Sequence, residues 1–159
     1  MTRFGCWLAP AAVVGTMLAA ALPAAAQTPA AYRPVLGDLM TMTVQSRHIK
    51  LGIAGQEGNW PYAAYELHEL EESFEHVAKL VPKYRNLSIP QTLAASVNDP
   101  MAALDRAIKA QDQGRFTAAY AQLTAGCNAC HQSAERGVIV IRVPTSSPFP
   151  DQDFRPPQK

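Results

Sequence analysis

The chain has 159 residues, and its 14 Lys and Arg nearly balance 13 Asp and Glu. That balance excludes a nucleic-acid-binding surface, which needs a clustered basic excess. Hydrophobic residues make up 48%, enough for a packed core, while three cysteines are too few for a disulfide scaffold.

Residues 1–26 have the pattern of a cleaved secretory signal peptide. Arg3 supplies the positive start, Trp7 to Leu22 form the apolar stretch, and Ala24-Ala25-Ala26 before Gln27 fit a small-residue cleavage site. The stretch is short for a retained membrane anchor and ends in Pro23 and alanines. Cys6 precedes it and is expected to leave with it. Loss of Arg3 leaves equal numbers of basic and acidic side chains. The remainder divides into a linker (27–34), a helical domain (35–136) and a tail (137–159), with no membrane-embedded part after cleavage.

The first helix is predicted from about Val35 to Ala54, with Pro34 at its start and Gly55 at its end. Leu36, Met40, Val44, His48 and Leu51 recur at helical spacing. The second begins after Asn59, an N-cap, with Pro61 in the first turn. Its apolar positions from Ala63 to Tyr84 step alternately by four and three, a seam that calls for helical neighbours rather than a sheet. Residues 85–98 read as a connection with one short helical turn. Asp99-Pro100 is expected to open the third helix and Gly114 to close it, with Gln111 on its buried stripe.

The fourth helix is predicted from near Arg115 to before Gly137. Phe116, Tyr120, Leu123, Cys127 and Cys130 share one face. Beyond it, Val138-Ile139-Val140-Ile141 is a β-branched run followed by Pro144, Pro148, Pro150, Pro156 and Pro157. A lone strand cannot satisfy its own backbone, so the tail is expected either to lie extended over the helices, pinned by Phe149 and Phe154, or to be disordered.

Cys127-Asn128-Ala129-Cys130-His131 is the chemically informative motif. Cys-x-x-Cys-His is the attachment site of a c-type haem. Two thiols at that spacing add across the two vinyl groups of one porphyrin, and the adjacent imidazole becomes the proximal iron ligand. A Cys-x-x-Cys pair alone would also serve as a redox dithiol or half a zinc site, but further ligands at zinc spacing are missing. Covalent haem is attached outside the bacterial cytoplasmic membrane, so signal and motif support each other.

With a signal, four amphipathic helices and this motif near the end of the last, the chain resembles the class II c-type cytochromes of the cytochrome c-prime kind, over roughly Val35 to Arg136. The resemblance implies an all-α, antiparallel four-helix bundle with one covalent haem between the helices. It also implies Cys127 and Cys130 as thioether residues and His131 as proximal ligand. The tail is a departure, since such proteins usually end soon after the last helix. No Met follows His131, which excludes the class I arrangement with its downstream methionine.

The first helix offers three candidates for the distal side of the iron: His48, Met40 and Met42. An open or water-bound position is the fourth possibility. Arg47 is placed to pair with a haem propionate or to be an ordinary solvated side chain. His68, Glu72 and His76 fall on one face of the second helix within an acidic stretch that includes Glu66, Glu69, Glu71 and Glu75, and are read as solvated.

Two functions follow as expectations. One is a periplasmic cytochrome that transfers single electrons with redox partner proteins; the alternative binds or senses nitric oxide or carbon monoxide at an open sixth position. An enzymatic role, peroxidase-like or nitric-oxide-detoxifying, would have only His48 and Arg47 beside the iron. Pairing into a homodimer is left open.

Overall fold

The computed structural model describes residues 32–158, so the signal peptide, Cys6 and most of the linker lie outside the described residues. Among the described residues the chain forms four helical rods. The first comprises α1 (Leu36–Leu39), a π-helical segment (Met40–Val44) and α2 (Gln45–Gln56), joined through residues that all keep right-handed helical angles. It is followed by α3 (Trp60–Leu80), a hairpin of β1 (Lys83–Tyr84) and β2 (Leu87–Ser88), α4 (Ile89–Lys109) and α5 (Gln113–Ser133). No helix among them is long and apolar enough to cross a membrane.

Each rod packs on its neighbours in chain order, and α5 returns to α2. Leu51, Leu70, Leu104 and Leu123, one from each rod, are wholly buried at the centre. The α2–α5 approach is close. A methyl group at Gly55 would come within 1.9 Å of the Phe116 ring, and one at Gly52 within 2.5 Å of the Tyr120 phenol. Glycine at these positions lets two aromatic rings lie directly against the α2 backbone.

Helix boundaries follow local chemistry. Asn59 caps α3 by accepting a hydrogen bond from the Tyr62 amide at 3.3 Å, and Asp112 caps α5 through the Arg115 amide at 2.9 Å. α2, α4 and α5 all end in the same reversal. In α5 the Arg136 amide donates to the His131 carbonyl at 2.7 Å, and the Glu135 amide to that of Gln132 at 3.0 Å. This is a Schellman closure, whose pivot residue takes a left-handed conformation. Gly58 fills that position after α2, but Gln111 and Glu135 fill it after α4 and α5.

The third predicted helix is corrected at both ends. α4 begins at Ile89, ten residues before Asp99, and runs through Pro100. Gly114 lies in the first turn of α5, and Gln111 is exposed. Ile89, Leu93 and Val97 extend the buried stripe of Met101 and Leu104 backwards. Burying three such side chains contributes about 1.5–3 kcal/mol each, which outweighs the ~3 kcal/mol cost of an interior proline. Pro100 removes the amide that would have bonded the Ser96 carbonyl. That carbonyl instead faces Gly126, where an added methyl would lie 2.1 Å from the oxygen.

The tail is extended and docked. Asn59 Nδ2 donates to the Phe154 and Arg155 carbonyls at 3.2 and 3.1 Å, and Gln56 Nε2 to that of Pro144 at 3.1 Å. Phe154 is buried and stacks on Tyr62 with ring centroids 5.5 Å apart.

Candidate haem-binding site

The final turns of α5 carry the motif because its apolar face continues past the core. Phe116, Tyr120 and Leu123 are buried, and further steps of four and three along the same face bring Cys127 and Cys130 to half-buried positions. Both thiols and His131 line a cavity of about 420 Å³. The first rod contributes Leu36, Met40, Val44 and His48; α3 contributes Phe74; α4 contributes Ile89, Leu93 and Val97. A mostly apolar cavity of this size is in the range that holds a cofactor.

The π-helical segment shapes one wall. Thr43 Oγ1 donates to the Leu39 carbonyl at 2.6 Å and Ser46 Oγ to that of Thr43 at 2.9 Å. Such back-bonding loosens the regular helical ladder. Met40, Thr41 and Val44, all in the widened segment, line the cavity.

The two thiols are held in their neutral form. Burial, and then the neighbouring Cys130, push the Cys127 thiol up to about 11. Burial also raises Cys130. A redox dithiol works through a thiolate of lowered pKa, the opposite of what is found. Neutral S–H groups are what addition across a vinyl double bond consumes. Among the described residues no three or more His, Cys, Asp or Glu side chains gather into a metal cage, so the zinc reading finds no partners for the pair.

His131 is oriented by the tail. Its Nδ1 lies 2.9 Å from the Ile139 carbonyl. A carbonyl only accepts, so Nδ1 donates to it, and in the neutral ring this leaves Nε2 bare, the tautomer of a metal-ligating imidazole with its usual outer partner. The donor set and the space therefore fit a haem.

The distal candidates separate. Met40 is half-buried on the cavity wall. Met42 is 73% exposed and does not line the cavity, because the rod turns it away. His48 does line it, yet both its ring nitrogens are engaged by α5: Nδ1 lies 3.0 Å from the Tyr120 hydroxyl and Nε2 3.1 Å from Thr124 Oγ1. Burial lowers its pKa to about 4, so the ring is neutral at pH 7.

Arg47 is not at the cavity. It pairs with Glu66 at 3.2 Å and Glu69 at 2.8 Å. Glu66 is itself corrected, since it is buried rather than solvated and needs that guanidinium. His68, Glu72 and His76 are exposed, with His68 and Glu72 3.5 Å apart.

Three residues beside the cavity were missed from sequence. Among the described residues that line the cavity Arg136 is the one Lys or Arg, and its Nη2 donates to the Tyr84 hydroxyl at 2.5 Å. Tyr84 reaches the wall through the hairpin, which an Arg85–Glu135 ion pair ties to the end of α5. Asn128, inside the motif, bonds the tail on both sides of Ile141. Only the position of Arg136, five residues beyond His131, was a signal available in the sequence. No family model, curated protein or solved structure matches the chain.

Proposed function

We propose that this chain is an exported, periplasmic c-type cytochrome that carries single electrons on one covalent haem. Cys127 and Cys130 would hold the porphyrin by thioethers, His131 would ligate the iron through Nε2, and Arg136 would pair with a propionate. When bound, the haem supplies a one-electron couple at iron. One cavity lined by both neutral thiols and by His131, whose Nδ1 is already committed to Ile139, carries the reading. The ring of helix contacts supports the antiparallel four-helix bundle implied by the resemblance, with the porphyrin completing the core between the rods.

The chain's own residues then prepare the site. Leu93, Val97 and Phe74 exclude water from the cavity, which lowers the local dielectric. Met40 is the side chain best placed to complete the coordination, since His48 is held by Tyr120 and Thr124. Two strong ligands suit electron transfer, because they keep the iron's geometry similar in both oxidation states.

The test is the mass and absorption spectrum of the protein isolated with haem-attachment machinery. One haem bound covalently and a low-spin spectrum that becomes high-spin in Met40→Ala are expected. A mass equal to the bare polypeptide overturns the haem reading. A wild type that is already high-spin makes gas binding the function instead.

A further inference from the structure

The tail beyond α5 meets the motif at three points. Asn128 Nδ2 donates to the Ile141 carbonyl at 2.9 Å, and the Ile141 amide donates to Asn128 Oδ1 at 2.8 Å. Two residues earlier, the Ile139 carbonyl receives the His131 Nδ1 proton at 2.9 Å. A primary amide that bonds both groups of one backbone residue fixes that residue's position and orientation as a strand neighbour would. Asn128 and His131 lie three residues apart, so they stand on the same side of α5. The Schellman closure at Glu135 turns the chain back towards that side, and the Ile139 amide bonds the Arg136 carbonyl at 2.9 Å.

We infer that Asn128 is a positioning residue for the iron's proximal ligand: by clamping Ile141 it holds the Ile139 carbonyl against His131 Nδ1. The inference rests on the reading of His131 as that ligand. The outer carbonyl does two things to the imidazole. It fixes the tautomer and ring orientation, and by drawing on the Nδ1 proton it makes Nε2 a stronger donor. A stronger donor favours ferric over ferrous iron and so lowers the reduction potential. The extension that departs from the c-prime pattern thereby acquires a role. Val138 and Val140 are exposed, so this stretch is held less by side-chain burial than by its bonds to Asn128 and His131.

The experiment uses the full-length protein as isolated, with Asn128→Ala and Ile141→Pro as independent lesions. The first removes the clamp from the helix side; the second removes the Ile141 amide and leaves the motif intact. Mass spectrometry on the same samples first establishes whether haem is bound, which decides the proposed function separately. Amide exchange at Ile139 and exchange of the His131 Nδ1 proton then decide the clamp, with or without haem. Both should quicken at least tenfold in each variant, and Asn128→Asp, which keeps the acceptor, should restore part of that protection. In haem-loaded protein both lesions should raise the midpoint potential. Unchanged exchange overturns the clamp. Faster exchange with an unmoved potential overturns its action on His131, as would a shift in Asn128→Ala with none in Ile141→Pro.

Discussion

Tyr120 donates its hydroxyl proton to the backbone carbonyl of His48 at 2.6 Å, and the same oxygen lies 3.0 Å from the imidazole Nδ1. The phenol proton goes to the His48 carbonyl and the Thr124 hydroxyl proton to the Tyr120 carbonyl at 2.9 Å, so the one N–H of the neutral ring is a donor to one of these two oxygens. One tyrosine thus meets both the main chain and the side chain of a residue on α2. The two rings sit 4.8 Å apart at the point where Gly52 lets α5 approach. His48 is therefore a fastener between the first rod and the last.

A pH dependence follows from that role. Burial lowers the His48 pKa from 6.5 to about 4, so below pH 6.5 the unfolded chain binds a proton that the folded one refuses. Stability should be constant in this respect above pH 7 and fall as pH drops from 6.5 towards 4, by about 3 kcal/mol in all. Denaturant melts at pH 7, 5.5 and 4 should show the decline, and His48→Phe should remove it. A variant with the same acid dependence as wild type would assign the loss elsewhere.

His48→Ala is expected to leave the absorption spectrum of the haem-loaded protein low-spin while costing about 2–4 kcal/mol in a thermal melt, because a buried ring and its hydrogen bond to α5 are lost. Conversion to high spin would make His48 the iron ligand in place of Met40.

Gly126→Ala should be among the most damaging small substitutions. Its methyl would lie 2.1 Å from the Ser96 carbonyl, a main-chain atom that cannot rotate aside. α4 and α5 must separate, at a cost of about 2–3 kcal/mol. Gly114→Ala, which meets only Asp112 at 3.5 Å, is the control and should be neutral or stabilising. Chemical denaturation of the pair measures the difference.

Arg47→Ala strips the paired cation from Glu66, which is 1% exposed, and should destabilise by roughly 3 kcal/mol. The double substitution Arg47→Met with Glu66→Gln should recover much of the loss, since no uncompensated charge remains. Equal stability of wild type and Arg47→Ala would show that Glu66 finds another partner.

Gln111→Gly should stabilise the protein by about 0.5–1 kcal/mol, because residue 111 pivots the α4 closure at φ 53°, where a side chain is strained. A loss of stability in the melt would mean that glycine's added freedom in the unfolded chain outweighs the relief.

The helical character, the seam of α3 and the Asn59 cap were legible in the sequence because they depend on residues within a turn or two of each other. So was the motif, whose chemistry is set by spacing along one helix. Other features were decided by the tertiary structure. Pro100 reads locally as a helix start, yet α4 passes through it, because the burial of Ile89, Leu93 and Val97 exceeds the proline penalty. Glu66 reads as one carboxylate in an acidic run until Arg47, 19 residues away, meets it inside the protein. Met40 shares the predicted helical stripe with Val44 and His48 while Met42 does not, and the first rod keeps that division, with Met40 on the cavity wall and Met42 in water. His48 reads as one of three candidate distal ligands, and only the fold brings Tyr120 and Thr124, more than 70 residues on, against its two nitrogens. Residue types and short spacings determine what a site's chemistry can be; which side chains are free to take part depends on long-range packing, because each polar group that is buried must find a partner there.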